Sequence, residues 1–365
     1  MATQTVRTDI PERRVPWRTI ITAALAIFFI LFLALPLLGI FQEMANNPNL
    51  LMRQLVIGLT NGAYIALIAL GYTMVYGIVE LINFAHGDLY MLGAFFALSL
   101  IGLFGLTPET PMEMRIPLML VILVLTMAFT ATINVAVDRL VYRRLRGNLS
   151  RLAALISAVG VSFIFQNLGL LWGYIPVPGG VMGTNAVAPK SVPPLIPNTN
   201  LLAGIIDVRF TTRDLLMLIT SVALLIALYL FVQRTKLGKA MRATAQDRDA
   251  ASLMGIDVNR TIALAFLIGG AMAGAAGMLV GQYNGTVTFD MGFTAGLRSF
   301  TAAVLGGIGN IVGAMLGGIL IGVISALSDQ YISAKWTNAV VFGILVIVLV
   351  FRPTGLLGDN VQQKA

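Results

Sequence analysis

The 365-residue chain contains no cysteine and a single histidine, His86. Disulfides, thiolate metal sites and multi-histidine centres are therefore excluded. Charge is scarce too: Asp, Glu, Lys and Arg make up 11% of the residues, against roughly a quarter in soluble domains. No GxxxxGK[ST] phosphate loop occurs, because Gly238-Lys239 is followed by Ala240 and lacks the upstream glycine. HExxH and GxSxG are also missing, which leaves a membrane protease or esterase without a centre. No catalytic residue, metal or cofactor is expected, and any ATP hydrolysis has to take place on another chain.

What the chain does have is apolar length. Its residues are 58% hydrophobic and its mean hydropathy is +0.88. Runs near the ~20 residues that one bilayer crossing needs fall at 19–41, 54–76, 84–104, 116–137, 152–174, 214–232 and 261–283, as a split pair within 299–327, and at 337–351. The expected fold is all-α and integral to the membrane, a polytopic bundle of about ten helices, some short or broken. The run 19–41 is longer than a secretory apolar region and lacks a convincing small-residue cleavage site, so it reads as an uncleaved first helix.

The net charge of +8 does not point to nucleic acid once the charges are located. Most of the 24 basic residues fall in three short segments: Arg7 to Arg18, Arg139 to Arg151, and Arg234 to Arg260. That is the positive-inside pattern. It predicts cytoplasmic tails at 1–18 and 353–365 around one transmembrane domain, 19–352. The segment 234–260 then lies inside and the proline-rich, non-helical loop 176–213 outside. For both termini to be cytoplasmic, 299–327 has to turn back on itself, and Gly306-Gly307-Ile308-Gly309-Asn310 is where it breaks. Glycines and alanines four apart, at 270/274, 273/277/281 and 309/313/317, predict close helix packing. The spans 54–76 and 261–283 are each followed by a polar break, at Asp88 and Asp290, which hints at an inverted repeat.

Two segments carry candidate chemistry. Asn83, His86 and Asp88 sit among apolar residues between two spans, where polar side chains are costly unless paired or wetted. Either Asp88 caps a helix beginning at Leu89 and the others satisfy backbone groups, or the break faces a conduction path together with Gly306 and Asn310. Gln166 and Asn167 are candidates for interhelical hydrogen bonds. The segment Arg234 to Arg260 is too polar to enter the bilayer and long for a connector, with a short helix expected to end near Gly255. It is either a solvated amphipathic loop or a docking element for a cytoplasmic partner.

The stretch LGKAMRATAQDRDAASLMGID resembles the branched-chain amino-acid permease family of ATP-binding-cassette importers, in its H-type (LivH-like) form. Gly71-Tyr72-Thr73-Met74-Val75-Tyr76-Gly77, with Leu81 to Asp88, and Ala302 to Asn310 agree with it. Asp88 departs mildly from the family pattern, which often has Glu. The resemblance covers about residues 50–355. It implies a type II-like, ten-helix permease in the bacterial inner membrane that moves branched-chain amino acids (leucine, isoleucine, valine). Its partners would be a second, M-type permease subunit, two cytoplasmic ATPase subunits and a periplasmic substrate-binding protein. It also implies that Arg242, Gln246, Asp247, Ala250, Ala251 and Gly255 couple the chain to the ATPase. Urea, short amides or other small carboxylates are the alternative cargo. An ion-coupled secondary transporter is the alternative class.

Overall fold

Helices dominate because the apolar runs hold few residues that interrupt one. In a lipid-like interior every backbone N–H and C=O has to bond within its own segment. In the computed structural model the described residues are 39–81, 83–145, 151–176, 185–204 and 208–358, without the Arg151 side chain. The expected span 19–41, apart from residues 39–41, the tail 1–18 and residues 359–365 lie outside them. The chain divides into two units, Met1–Leu51 and Met52–Ala365. In the first unit, residues 39–46 are helical.

The helices are α1 (Pro48–Val79), α2 (His86–Leu103), α3 (Met112–Val137, extended by a wide turn, Asp138–Tyr142, and Arg143–Leu145), α4 (Arg151–Trp172) and α5 (Thr212–Arg234). Two short helices, α6 (Lys236–Gln246) and α7 (Arg248–Leu253), form an arm before α8 (Val258–Asn284). Then come α9 (Met291–Gly306), α10 (Ile311–Ser328) with its wide turn Asp329–Ser333, and α11 (Thr337–Phe351). Among the described residues seven helices are long and apolar enough to cross a bilayer, α11 is a shorter apolar helix, and α9 has 16 residues. The all-α membrane architecture is as expected, with a break at 307–310. However, α9 begins at Met291, eight residues before the expected 299. The charge at Arg298 does not stop it, because Arg298 donates twice to Asn338 Oδ1, at 3.1 and 3.0 Å.

Local chemistry sets the boundaries. Thr211 and Asp214 form a reciprocal capping box at the start of α5. Asp247, Asp257 and Asn310 cap α7, α8 and α10. Among its described residues the loop after α4 contains a two-residue strand, β1 (Lys190–Ser191), paired antiparallel with β2 (Thr286–Val287). Arg115 donates to the Leu195 carbonyl at 2.8 Å and Arg213 to that of Ile196 at 3.1 Å, so the loop is tied to the starts of α3 and α5.

The helices form layers. In their most apolar windows, α1 and α2 are each 83% buried and α8 72%, against 22–33% for α3, α4 and α5. Small residues permit the central crossings. Gly58 and Gly62 of α1 meet Gly318, Ile319, Gly322 and Val323 of α10, and Gly270 and Gly274 of α8 meet Thr126, Thr130, Ala131 and Asn134 of α3. Gly281 and Gly309, expected in the same role, have only ordinary contacts, at 3.5 Å and 3.9 Å.

Candidate functional site at the helix breaks and the 234–260 arm

The first break joins α1 to α2. Asn83 is buried and receives a hydrogen bond from Tyr142 Oη at 3.2 Å, while its own amide lies 3.4 Å from Asn134 Oδ1. Asn134 in turn donates to the Phe266 carbonyl of α8 at 2.6 Å. Three side chains far apart in sequence thus fasten the break to α3 and α8. Neither Asn134 nor Tyr142 was a sequence candidate, although Asn134 stood out as an amide within an apolar run.

His86 opens α2 rather than preceding it. Its ring meets Tyr72 edge-on at 4.7 Å between centroids, and neither ring nitrogen has a hydrogen-bond partner. The imidazole fits over Gly71, where a Cβ would stand 2.6 Å from His86 Cε1 and 2.9 Å from the Gly269 carbonyl.

Asp88 is not the cap of a helix starting at Leu89. The helix starts at His86, and the N-cap position is Ala85, which makes no side-chain cap. Asp88 is fully buried; its Oδ2 accepts from Ser162 Oγ of α4, and Gln166 donates to that Oγ at 3.4 Å. Its Oδ1 is unpartnered and lies against α9, where a Cβ on Gly292 would be 2.6 Å away. Gly87 meets Gly292 and Gly296 equally closely. The first turns of α2 and α9 therefore border one carboxylate, and a negative group near a helix N-terminus is favoured by the exposed N–H groups and the helix dipole. Ser162 escaped the sequence reading; standing one turn before Gln166 was its only signal. Asn167 bonds the Phe163 carbonyl of its own helix, so it makes no interhelical bond there.

The second break has a different chemistry. Gly307 and Gly309 have φ of +104° and +94°, a region open chiefly to glycine. Asn310 accepts from Gly313 N at 2.9 Å and donates to the Leu357 carbonyl at 2.8 Å. Leu356 N and Leu357 N bond the Leu305 and Gly306 carbonyls, so the chain after α11 closes over this break. Gly306 and Asn310 serve here as backbone and cap.

The arm is two short capped helices. Arg242 donates to the Val232 carbonyl at 2.8 Å and to Gln233 Oε1 at 2.6 Å, which binds α6 to the end of α5. Gln246 ends α6, and Asp247 accepts from Ala250 N at 2.9 Å to start α7. Ala251 is buried and Ala250 exposed. Gly255, at φ +83°, terminates the turn as Ile256 N reaches back to the Ala251 carbonyl. At the tip, Leu253 is 88% and Met254 83% exposed.

Known proteins share this sequence over most of its length. The family described as branched-chain amino acid transport system / permease component matches residues 54–350. The high-affinity branched-chain amino acid transport system permease protein BraD of Pseudomonas aeruginosa is 41% identical over 319 residues, 86% of this chain and 97% of BraD. The corresponding LivH of Escherichia coli is 39% identical over 323 residues, with the same two coverages. LivM of Escherichia coli, also a permease protein of such a system, is 33% identical over 140 residues, covering 37% of this chain and 32% of LivM. With most of its length matched by the family and by full-length relatives, this multi-pass membrane chain belongs to the branched-chain amino acid transport permease family.

Proposed function

We propose that this chain is the permease subunit of an ATP-binding-cassette importer that carries leucine, isoleucine and valine across the bacterial inner membrane. On this reading, residues 1–18 and 353–365 are cytoplasmic tails, 19–352 is the transmembrane domain, and the loop 176–213 is periplasmic. The 234–260 arm meets a cytoplasmic ATPase subunit. The partial likeness to LivM supports pairing with a second, related permease chain; two ATPase subunits and a periplasmic binding protein complete the assembly.

The carrying observation is the tip of the arm. Two large apolar side chains, Leu253 and Met254, stand almost fully exposed at the end of an otherwise polar segment. Exposed apolar area of this kind marks a surface that a partner covers, and burial of each side chain is worth about 1.5–3 kcal/mol. The turn under them is rigid because Asp247 caps one end and Gly255 the other. Asn83, His86, Asp88, Gly306 and Asn310 are assigned to the helix breaks that change shape during transport, not to tight substrate binding.

The test is a double substitution, Leu253→Asp with Met254→Asp, in the chain co-expressed with the ATPase subunit proposed here. Membrane insertion should persist while ATPase co-purification and leucine uptake are lost. Undiminished co-purification would sink the docking assignment. Uptake of urea or a short amide in preference to leucine would retain the architecture and overturn the cargo.

A further inference from the structure

Arg248, the first residue of α7, sends a guanidinium N–H to the carbonyl of Ile78 at 2.7 Å, across 170 positions of sequence. Ile78 stands in the last turn of α1, where carbonyls have no partner further along the helix and the negative end of the dipole favours a cation. The Tyr76 carbonyl is already occupied by Glu80 N. Arg242, Asp247 and Asp257 of the same arm bond residues within ten positions of themselves. Arg248 is different because its bond ends on a central helix far away in sequence.

The residues just beyond Ile78 give this bond a consequence. Glu80 has φ +56°, the only positive value on a non-glycine residue among the described residues, so the chain turns there in a conformation that side chains rarely adopt. Three residues later Asn83 is held by Tyr142 and Asn134, and at His86 α2 begins beneath Tyr72. The described residues on both sides of position 82 are thus tied: Arg248 holds Ile78 to the arm, and α3 and α1 hold Asn83 and His86. α7 is short and closed at both ends, by Asp247 and by the turn at Gly255. A displacement of α7 either carries the end of α1 with it or breaks the Arg248–Ile78 bond.

We infer that Arg248 is the positioning residue through which movement of the arm reaches the α1–α2 break, separately from the residues that dock the ATPase. This rests on the arm being the coupling element. Arginine suits the task because its planar fork and long reach hold a carbonyl firmly, whereas lysine offers a mobile point charge.

The experiment uses the complete importer in proteoliposomes with its binding protein, and reads leucine uptake and ATP hydrolysis together. Arg248→Met should still assemble with the ATPase and hydrolyse ATP, while uptake per ATP falls at least about fivefold, the loss of a modest coupling contact. Arg248→Lys should recover part of the ratio. Because the chain has no native cysteine, spin labels at Ala250→Cys and Glu80→Cys report the distance directly. That distance should stay narrow through the ATP cycle in the Arg248 protein and broaden in Arg248→Met. An unchanged uptake-to-ATP ratio, an unbroadened distance, or loss of ATPase assembly in Arg248→Met overturns the inference. Loss of assembly would make Arg248 a docking residue, while failure of the Leu253/Met254 test would instead remove the coupling reading itself.

Discussion

Gly270→Ala puts the central packing under the most direct test. A Cβ at this position of α8 would stand 2.6 Å from the Thr130 carbonyl oxygen, 2.7 Å from Asn134 Cβ and 2.9 Å from Ala131 Cα. Carbon atoms normally approach to about 3.5–4.0 Å. All three neighbours are backbone or Cβ atoms of one helix, so α3 has to move by nearly an ångström, as no side-chain rotation relieves the overlap. Such overpacking costs about 1–3 kcal/mol, and alanine's better helix propensity returns about 0.8–1.0 kcal/mol. The net loss relative to wild type is then at most about 2 kcal/mol, and the shift also loosens Asn134, which holds Asn83 and the Phe266 carbonyl. Gly160→Ala is the control, since nothing lies within 4 Å of its Cβ position. Thermal unfolding of the detergent-solubilised chain should place Gly270→Ala below Gly160→Ala by about 1–3 kcal/mol, the overpacking cost alone, with Gly160→Ala at or above wild type. If Gly270→Ala proves as stable as Gly160→Ala, α3 and α8 do not cross at this glycine.

Two further outcomes are expected. Asn310→Ala should lose about 1 kcal/mol by removing the α10 cap. Asn310→Asp should fall between, because it keeps an acceptor for Gly313 N and loses the donor to Leu357; the same melts decide. For orientation, a cysteine at exposed Asn198 should react with an impermeant reagent from outside intact cells, and one at Ala250 should react only after the membrane is opened. Labelling of Ala250 from outside would invert the topology.

Much of this molecule is written locally. Apolar length marked the crossings because a bilayer demands about 20 apolar residues regardless of neighbours. Glycines followed by an asparagine marked the second break, since positive φ and a helix cap are properties of a few adjacent residues. The same holds for the arm, where Asp247 and Gly255 delimit α7. The family was legible only through the resemblance of its motifs, and the matches to BraD and LivH bear it out.

Other features were decided in three dimensions. In lipid both faces of a helix are apolar, so hydropathy does not distinguish the central α1, α2 and α8 from the peripheral α3, α4 and α5. Small-residue spacing nominated Gly270 and Gly281 alike, yet only Gly270 sits in a tight crossing, because that depends on where α3 lies. The same limit applies to polar groups. Asp88 looked like a cap until Ser162 and the first turn of α9 came to border it, and Arg248 was one charge in a basic cluster until the end of α1 arrived beside it. Sequence determined which segments form helices and where they stop, since those energies are local. Tertiary structure decided which buried group meets which, because a polar atom in an apolar interior takes its role from the partner that folding delivers.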